Sequence, residues 1–98
     1  MKLRYDPRAW AFLESISEKD RSKALEYILL FEEYGFSLNS RYLKKVEKNI
    51  WELRPKRIRL FLYMRESQPF LIHASYKKTQ KTARKDLKTI KDRIKQYI

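Results

Sequence analysis

The sequence predicts an α+β fold, in which an N-terminal helical hairpin packs on a twisted antiparallel sheet and a basic helix follows at the C-terminus. Three observations predict it. Apolar residues recur at helical spacing up to residue 34, three segments between residues 50 and 76 have strand composition, and helical spacing returns over residues 82–98. Because 98 residues can bury one modest core, residues 1–98 are expected to form a single domain.

Two helices are predicted before residue 36. Asp6 followed by Pro7 is typical of a helix start, because the carboxylate caps free amides and proline has the backbone angle of a first turn. Ser17 should begin a second, longer helix that ends at Gly35. The side chains that this helix is expected to bury are Ala24, Leu25, Tyr27, Ile28, Leu29 and Phe31.

Three strands are predicted at residues 50–54, 58–66 and 70–76. The connections between them are very short, which suits antiparallel hairpins, since a parallel crossover needs about a dozen residues or more. Residues 36–49 are mixed and basic, and we expect a loop there with one turn of helix near residues 41–46.

Residue parity sorts the predicted strands into two faces, because side chains alternate across a sheet. The inner face should carry the even positions of the second strand, which are uniformly apolar from Ile58 to Met64. In the third strand the inner set would be Phe70, Ile72, Ala74 and Tyr76. The other, mixed set of that strand would be Leu71, His73, Ser75 and Lys77. Without a β-bulge, the outer face would carry Glu52, Arg54, Arg59, Phe61, Tyr63, His73, Ser75 and Lys77.

The predicted outer face combines cations with aromatic rings. This combination suits single-stranded nucleic acid, because guanidinium groups bind phosphates and aromatic planes stack on exposed bases. An antiparallel sheet also commonly has one ordinary solvated side, and the pattern alone fits that interpretation too.

The charge of the chain indicates the class of partner. The formal net charge is +12, from 24 Lys and Arg against 12 Asp and Glu, which favours a polyanion, nucleic acid first and an acidic protein or anionic membrane after it. There is no cysteine and one histidine, so we expect no disulfide, no thiol nucleophile, no metal site and no cofactor. No apolar run approaches the roughly 20 residues that span a bilayer, so a cytoplasmic protein without a membrane partner is expected.

Two sequence segments resemble a known family. WELRPKRIRLFLY at residues 51–63 and LIHASYKKTQKT at residues 71–82, with the basic helix after them, are similar to RelE/HigB-type toxins of type II toxin–antitoxin modules. The phage-derived HigB-like branch has a similar basic strand that ends in an aromatic pair, and then LLHGF-like residues before KKTQKT. The resemblance covers residues 50–95.

The resemblance implies a fold and a function. The fold would be RelE-like, with two helices on a twisted antiparallel sheet. The activity would be that of a metal-independent endoribonuclease, an mRNA interferase that cleaves mRNA on the ribosome. The partners would be mRNA, the ribosome and a cognate antitoxin, commonly of the helix-turn-helix type.

The same resemblance implies the catalytic residues. Arg59 matches the family's strand arginine and is expected to hold the scissile phosphate, with Arg54 as a second clamp. Lys77 lies where related toxins place a catalytic His, Lys or Tyr, and Lys78 is its nearest competitor. Because an ordinary lysine is a poor base at neutral pH, proton transfer by Lys77 would need nearby cations, and Glu52 is the alternative base.

Further residues are RNA-binding candidates, namely Glu52, Tyr63, His73, Thr79, Gln80 and Lys81. His73 also has a simpler interpretation, a hydrogen bond within the sheet. The hydroxyls after Lys78 could bind the RNA backbone, but Thr82 is better placed to cap the last helix. The cations of that helix suit ribosomal RNA phosphates or an acidic antitoxin segment.

Two other functions fit the composition. A non-catalytic RNA- or ribosome-binding protein would bind RNA in a salt-sensitive way without cutting it. A protein-interaction module would bind an acidic partner and have no affinity for ribosomes.

Overall fold

A computed structural model describes residues 1–78 and 84–98. Its elements in chain order are β1 (Arg4–Tyr5), α1 (Pro7–Ser15), α2 (Glu18–Tyr34), β2 (Leu43–Glu47), β3 (Ile50–Leu53), β4 (Ile58–Arg65), β5 (Gln68–Tyr76) and α3 (Arg84–Ile94). The strands form one sheet in the order β1-β5-β4-β3-β2. The predicted α+β fold, with a helical hairpin before the sheet and a basic helix after it, is confirmed.

The two N-terminal helices begin and end where the sequence predicts. The Asp6 carboxylate accepts a hydrogen bond from the Arg8 amide at 2.8 Å, and the Ser17 hydroxyl accepts one from the Asp20 amide at 3.2 Å. Gly35 ends α2 with a φ of 59°, a conformation that glycine adopts without strain, and its amide donates to the Phe31 carbonyl.

The sheet contains two strands that the sequence analysis missed. β2 pairs antiparallel with β3 in the stretch predicted as a loop with a helical turn. That prediction is wrong because Leu43 packs opposite Leu53, and Lys45 lies over the Trp51 ring at 5.5 Å, so pairing overrides a weak local pattern. β1 has two residues and pairs parallel with β5, so the sheet is antiparallel except at this edge.

α1 and α2 cover one side of the sheet and form the main core. Its fully buried members include Leu13, Ile28, Phe31 and Leu60. The expected burial of Leu25 and Leu29 is wrong: they are 36% and 64% exposed. The buried stripe of α2 is narrower than predicted and runs through Asp20, Ala24, Ile28 and Phe31.

α3 covers the opposite side of the sheet. Ile90 is fully buried there, and Ile94 and Tyr97 pack partly buried beside it. The sheet residues beneath this helix are Ile50, Phe61 and Ile72. The face predicted to be outer is therefore not a solvated surface, because the C-terminal helix packs on it.

A β-bulge changes the faces of β5. Phe61 pairs with His73 and Leu62 with Leu71, so Ile72 is an extra residue in β5. As a result Leu71 faces the hairpin side, whereas Phe70 and Ile72 face α3, and these three placements were predicted the other way round.

Among the described residues, no helix is long and apolar enough to cross a membrane.

Candidate active site at the end of β5

A cavity of about 430 Å³ lies where β5 ends, between α1 and the first turns of α3. This volume is typical of small-molecule sites, which span roughly 300–1,000 Å³. We call it the β5 cavity. It is lined by Phe12, Arg59, His73, Ser75, Tyr76, Lys78, Lys85, Asp86 and Thr89. The β5 cavity therefore combines two aromatic rings with three cationic side chains.

Arg59 is the deepest cation of the β5 cavity. Its side chain is 1% exposed, and its Nε lies 3.3 Å from Glu52 Oε2. Arg54 contacts the same carboxylate, with Nε 2.8 Å from Oε2 and Nη2 3.3 Å from Oε1. A buried charge needs a partner, and the shared carboxylate holds both guanidinium groups at one place.

The position of Glu52 differs from the prediction. We expected it on an open face, but its side chain is 0% exposed and engaged with Arg54 and Arg59. The structure therefore makes Glu52 a partner of the two arginines. Arg54 and Arg59 converge as expected, because both guanidinium groups contact the Glu52 carboxylate.

His73 connects β5 to α3. Its Nε2 lies 2.8 Å from Asp86 Oδ1, its Nδ1 lies 3.4 Å from Arg93 Nη1, and its ring stacks on Phe61. Burial lowers the pKa of His73, although Asp86 opposes the shift. The geometry fits a neutral ring that donates to Asp86 from Nε2 and accepts from Arg93 at Nδ1.

The two lysines after β5 differ in position. The amide of Lys77 donates to the Arg57 carbonyl at 2.6 Å and continues the pairing of β4 with β5. Its side chain does not line the β5 cavity, whereas the exposed side chain of Lys78 does. Of the two lysines predicted as candidates for catalysis, Lys78 is the one that lines the same cavity as Arg59.

The walls of the β5 cavity include groups that can contact a nucleotide. Phe12 from α1 meets Tyr76 edge to face, with ring centroids 5.3 Å apart. Tyr76 is 42% exposed, which leaves part of its ring open for stacking. Within the described part of the chain, the buried Ser75 hydroxyl has no hydrogen-bond partner.

The predicted site residues fall into distinct groups. Arg59, His73 and Lys78 line the β5 cavity. Arg54 does not line it but is paired with Glu52, the carboxylate that also contacts Arg59. Tyr63 packs instead against the small core beneath α3. The RNA-binding candidates Thr79, Gln80 and Lys81, and the predicted helix cap Thr82, lie outside the described residues.

Sequence reasoning missed five residues of the β5 cavity, namely Phe12, Tyr76, Lys85, Asp86 and Thr89, of which Tyr76 was expected on the inner face. Phe12 precedes the resembling segments, and only the fold brings it to the end of β5. Asp86 had a detectable signal, because it is one of two acidic residues in a strongly basic stretch.

Comparison with known proteins places the chain in a family. A family model described as phage-derived protein Gp49-like matches residues 11–95. The chain belongs to the Gp49-like family. Gp49-like proteins are a family of RelE/HigB-type toxins, and the predicted relationship to these toxins is confirmed.

Solved structures agree with this assignment at the level of the fold. A free-state structure of an E. coli RelE toxin mutant has a TM-score of 0.63 and 14% identity, with 98% of the Gp49-like chain and 96% of that chain covered. A crystal structure of the isolated E. coli RelE toxin has a TM-score of 0.61 and 14% identity, with coverages of 98% and 97%. No curated protein matches the sequence. The Gp49-like chain therefore has the RelE fold.

Proposed function

We propose that this Gp49-like protein is the toxin of a type II toxin–antitoxin system and acts as a metal-independent endoribonuclease that cleaves mRNA. One observation carries the proposal: the buried Arg59, which matches the family's strand arginine, lines a nucleotide-sized cavity together with Lys78 and Lys85. A cluster of cations around a small cavity suits the extra negative charge of a phosphate under attack.

The proposed reaction is an internal transfer within RNA. The ribose 2′-oxygen loses its proton and attacks the adjacent phosphorus, while the bond from phosphorus to the 5′-oxygen breaks. The departing 5′-oxygen takes up a proton, which leaves a 2′,3′-cyclic phosphate and a 5′-hydroxyl end. Such a reaction needs a base, an acid and stabilisation of phosphate charge.

The described residues supply the charge stabilisation. Arg59 would hold the scissile phosphate from below, and Lys78 would approach it from the end of β5. Glu52 would act by orienting Arg54 and Arg59, since its carboxylate is already in contact with both. Lys77 remains a candidate for proton transfer at the strand end.

The partners follow from charge and from the family. The outer side of α3 carries Arg84, Lys88, Lys91 and Lys95, a basic surface that suits the phosphates of ribosomal RNA. We therefore propose that cleavage takes place on ribosome-bound mRNA in the cytoplasm. A cognate antitoxin, of the helix-turn-helix type common among relatives, would neutralise the toxin.

The test is inducible expression in bacteria of the wild type, Lys78→Ala and the control Lys48→Ala. Lys48 is an exposed lysine of the turn between β2 and β3 and does not line the β5 cavity. The wild type and Lys48→Ala should arrest growth and create new 5′ ends in translated messages. Lys78→Ala should lower the cleavage rate about a hundredfold at equal protein level, the usual loss when one oxyanion-stabilising group is removed.

Two results would contradict the proposal. Normal growth and intact messages with soluble wild-type protein would leave a non-catalytic RNA- or ribosome-binding protein as the better description. Equal cleavage by Lys78→Ala and Lys48→Ala would remove Lys78 from the site. Purified protein with free mRNA and with programmed ribosomes then tests whether cleavage requires the ribosome.

A further inference from the structure

We propose that Asp86 is a positioning residue: paired with His73, it holds the first turn of α3 so that Lys85 forms a third cationic wall of the β5 cavity. This inference rests on the proposed function, because it assigns Lys85 to RNA binding in the same cavity. It adds two residues of α3 to a site that the sequence placed on the strands.

The contacts of α3 are uneven along its length. Near its C-terminal end the helix is anchored by the buried Ile90, by the hydrogen bond from Arg93 Nη1 to the Ile72 carbonyl at 3.0 Å, and by Tyr97, whose hydroxyl donates to Asp6 at 2.8 Å. The first turn is attached to the sheet through Asp86 Oδ1 and His73 Nε2, which lie 2.8 Å apart.

The pair of Asp86 and His73 is largely shielded from water. The two side chains are 14% and 12% exposed. A hydrogen bond to an ionised carboxylate in such surroundings is stronger than one at the surface, because water competes less for both groups. The Phe61 ring stacks on the imidazole and limits its rotation, so the pair has one defined orientation.

The position of Asp86 determines the position of Lys85. The two residues are adjacent in the first turn of α3, and both line the β5 cavity. Thr89 lies one turn later on the same wall, and its hydroxyl donates to the Lys85 carbonyl at 3.0 Å. Lys85 thus faces the β5 cavity from α3, while Arg59 and Lys78 approach from β4 and from the end of β5.

The sign of the Asp86 charge makes the inference testable. A carboxylate beside an RNA-binding cavity repels phosphate, so electrostatics alone predicts that its removal tightens RNA binding. Positioning predicts the opposite, since loss of the contact with His73 releases the turn that holds Lys85. One substitution therefore separates the two effects by the direction of its result.

Asp92→Ala is the matched control for Asp86→Ala. Both substitutions lie in α3 and raise the net charge by one unit. Asp92 is exposed and pairs on the surface with Lys88 and Lys95, at 3.2 and 3.9 Å. A surface pair of this kind contributes little to the position of a helix.

The measurement is binding of a fluorescent RNA oligonucleotide by anisotropy at fixed salt, with 2′-O-methyl groups that block the proposed attack. We expect Asp86→Ala, which removes the acceptor of the His73 hydrogen bond, to weaken binding about tenfold, the loss of roughly one charge-assisted contact, whereas Asp92→Ala should leave binding unchanged or tighter. Equal or tighter binding by Asp86→Ala would overturn the inference.

Lys85→Met tests whether the loss of RNA binding arises from Lys85, and it covers the case in which Asp86→Ala does not fold. Lys85 is exposed, so its replacement should leave the fold intact. Lys85→Met should weaken binding about tenfold, and Lys48→Met should not. The double variant with Asp86→Ala should lose no more affinity than either single change. Additive losses, or equal binding by Lys85→Met and Lys48→Met, would overturn the inference.

The oligonucleotide also separates this inference from the proposed function. Because it cannot be cleaved, its binding is independent of catalysis. Wild-type protein that binds it with the expected ranking of variants but cuts no RNA would contradict the proposed endoribonuclease activity and support the positioning role. Wild-type protein that cuts mRNA on the ribosome but does not bind the oligonucleotide would contradict the inference and support the proposed function. Wild-type protein that neither binds nor cuts would contradict both.

Discussion

The two sides of the sheet are built differently. On the hairpin side, fourteen of the described residues form a continuous apolar core with α1 and α2. On the α3 side the corresponding core has four buried residues, and polar contacts such as His73 with Asp86 and Arg93 with Ile72 hold much of the helix. The hairpin side stabilises the fold, and the α3 side combines stability with the candidate active site.

This difference has a physical reason. An apolar core is non-directional and tolerates no buried charge without a partner, so it is a poor place for phosphate chemistry. The α3 side keeps Arg59 and Glu52 buried by pairing them and leaves a cavity beside them. The same sheet can therefore carry a stable core on one face and charged chemistry on the other.

The largest expected effect is a loss of stability on the hairpin side. Phe31→Ala removes a fully buried ring from the main core and should lower the free energy of unfolding by about 3–5 kcal/mol. Ile90→Ala on the α3 side should cost about 2 kcal/mol, the low end for such a change, because the smaller core can close around it. Urea denaturation measures both, and an equal or larger loss for Ile90→Ala would contradict the comparison.

A middle-sized effect is expected where the two sides meet. Asp6 caps α1 and accepts a hydrogen bond from Tyr97; burial alone would raise its pKa, but the bonds from Arg8 and Tyr97 lower it to about 2. Since the folded pKa lies below the ordinary value, the carboxylate stabilises the fold above about pH 4 and loses this effect as the pH falls through 2. Asp6→Asn, which keeps a capping side chain, should therefore cost about 2 kcal/mol at pH 7.

The test of Asp6 is a comparison of urea denaturation for the wild type and Asp6→Asn at pH 7 and near pH 2. The difference between them should be small at the lower pH. A constant difference at both pH values would mean that the carboxylate charge is not the cause. Tyr97→Phe removes one of the hydrogen bonds and should cost about 1 kcal/mol at pH 7.

The smallest effect is expected on the outward face of α2. Leu29 is 64% exposed, so Leu29→Ser should change the free energy of unfolding by no more than about 0.5 kcal/mol. The same measurement on Phe31→Ala, two residues further along the helix, gives the contrast. A loss above about 1 kcal/mol for Leu29→Ser would show that the hairpin core extends to this face.

Much of the fold could be predicted from sequence because its signals are local. Asp6 with Pro7, Ser17 and Gly35 mark helix boundaries by capping and backbone preference, and the even positions of β4 are uniformly apolar. β1 and β2 could not be predicted, since two residues carry no pattern and the lysines of β2 hide its alternation. Their existence depends on pairing with strands distant in sequence.

The candidate site was predicted in part. Arg59, His73 and Lys78 lie in the segments that resemble the toxins, and they line the β5 cavity. The burial of Glu52 was not foreseen, because its pairing with both Arg54 and Arg59 depends on the way β3 and β4 come together. Lys85 and Asp86 were missed because the sequence predicts the last helix but not the side of the sheet on which it packs.

The bulge at Ile72 joins two stretches of β5 that alternate out of phase. Leu71 before it and Ala74 after it both face the hairpin, although they are three residues apart. Deletion of Ile72 would bring Leu71 and His73 into ordinary alternation, so His73 and Ser75 would still face α3 and Ala74 would still face the hairpin. A strand one residue shorter at this point can therefore carry the same site, and the expected loss is the Ile72 side chain from the small core beneath α3.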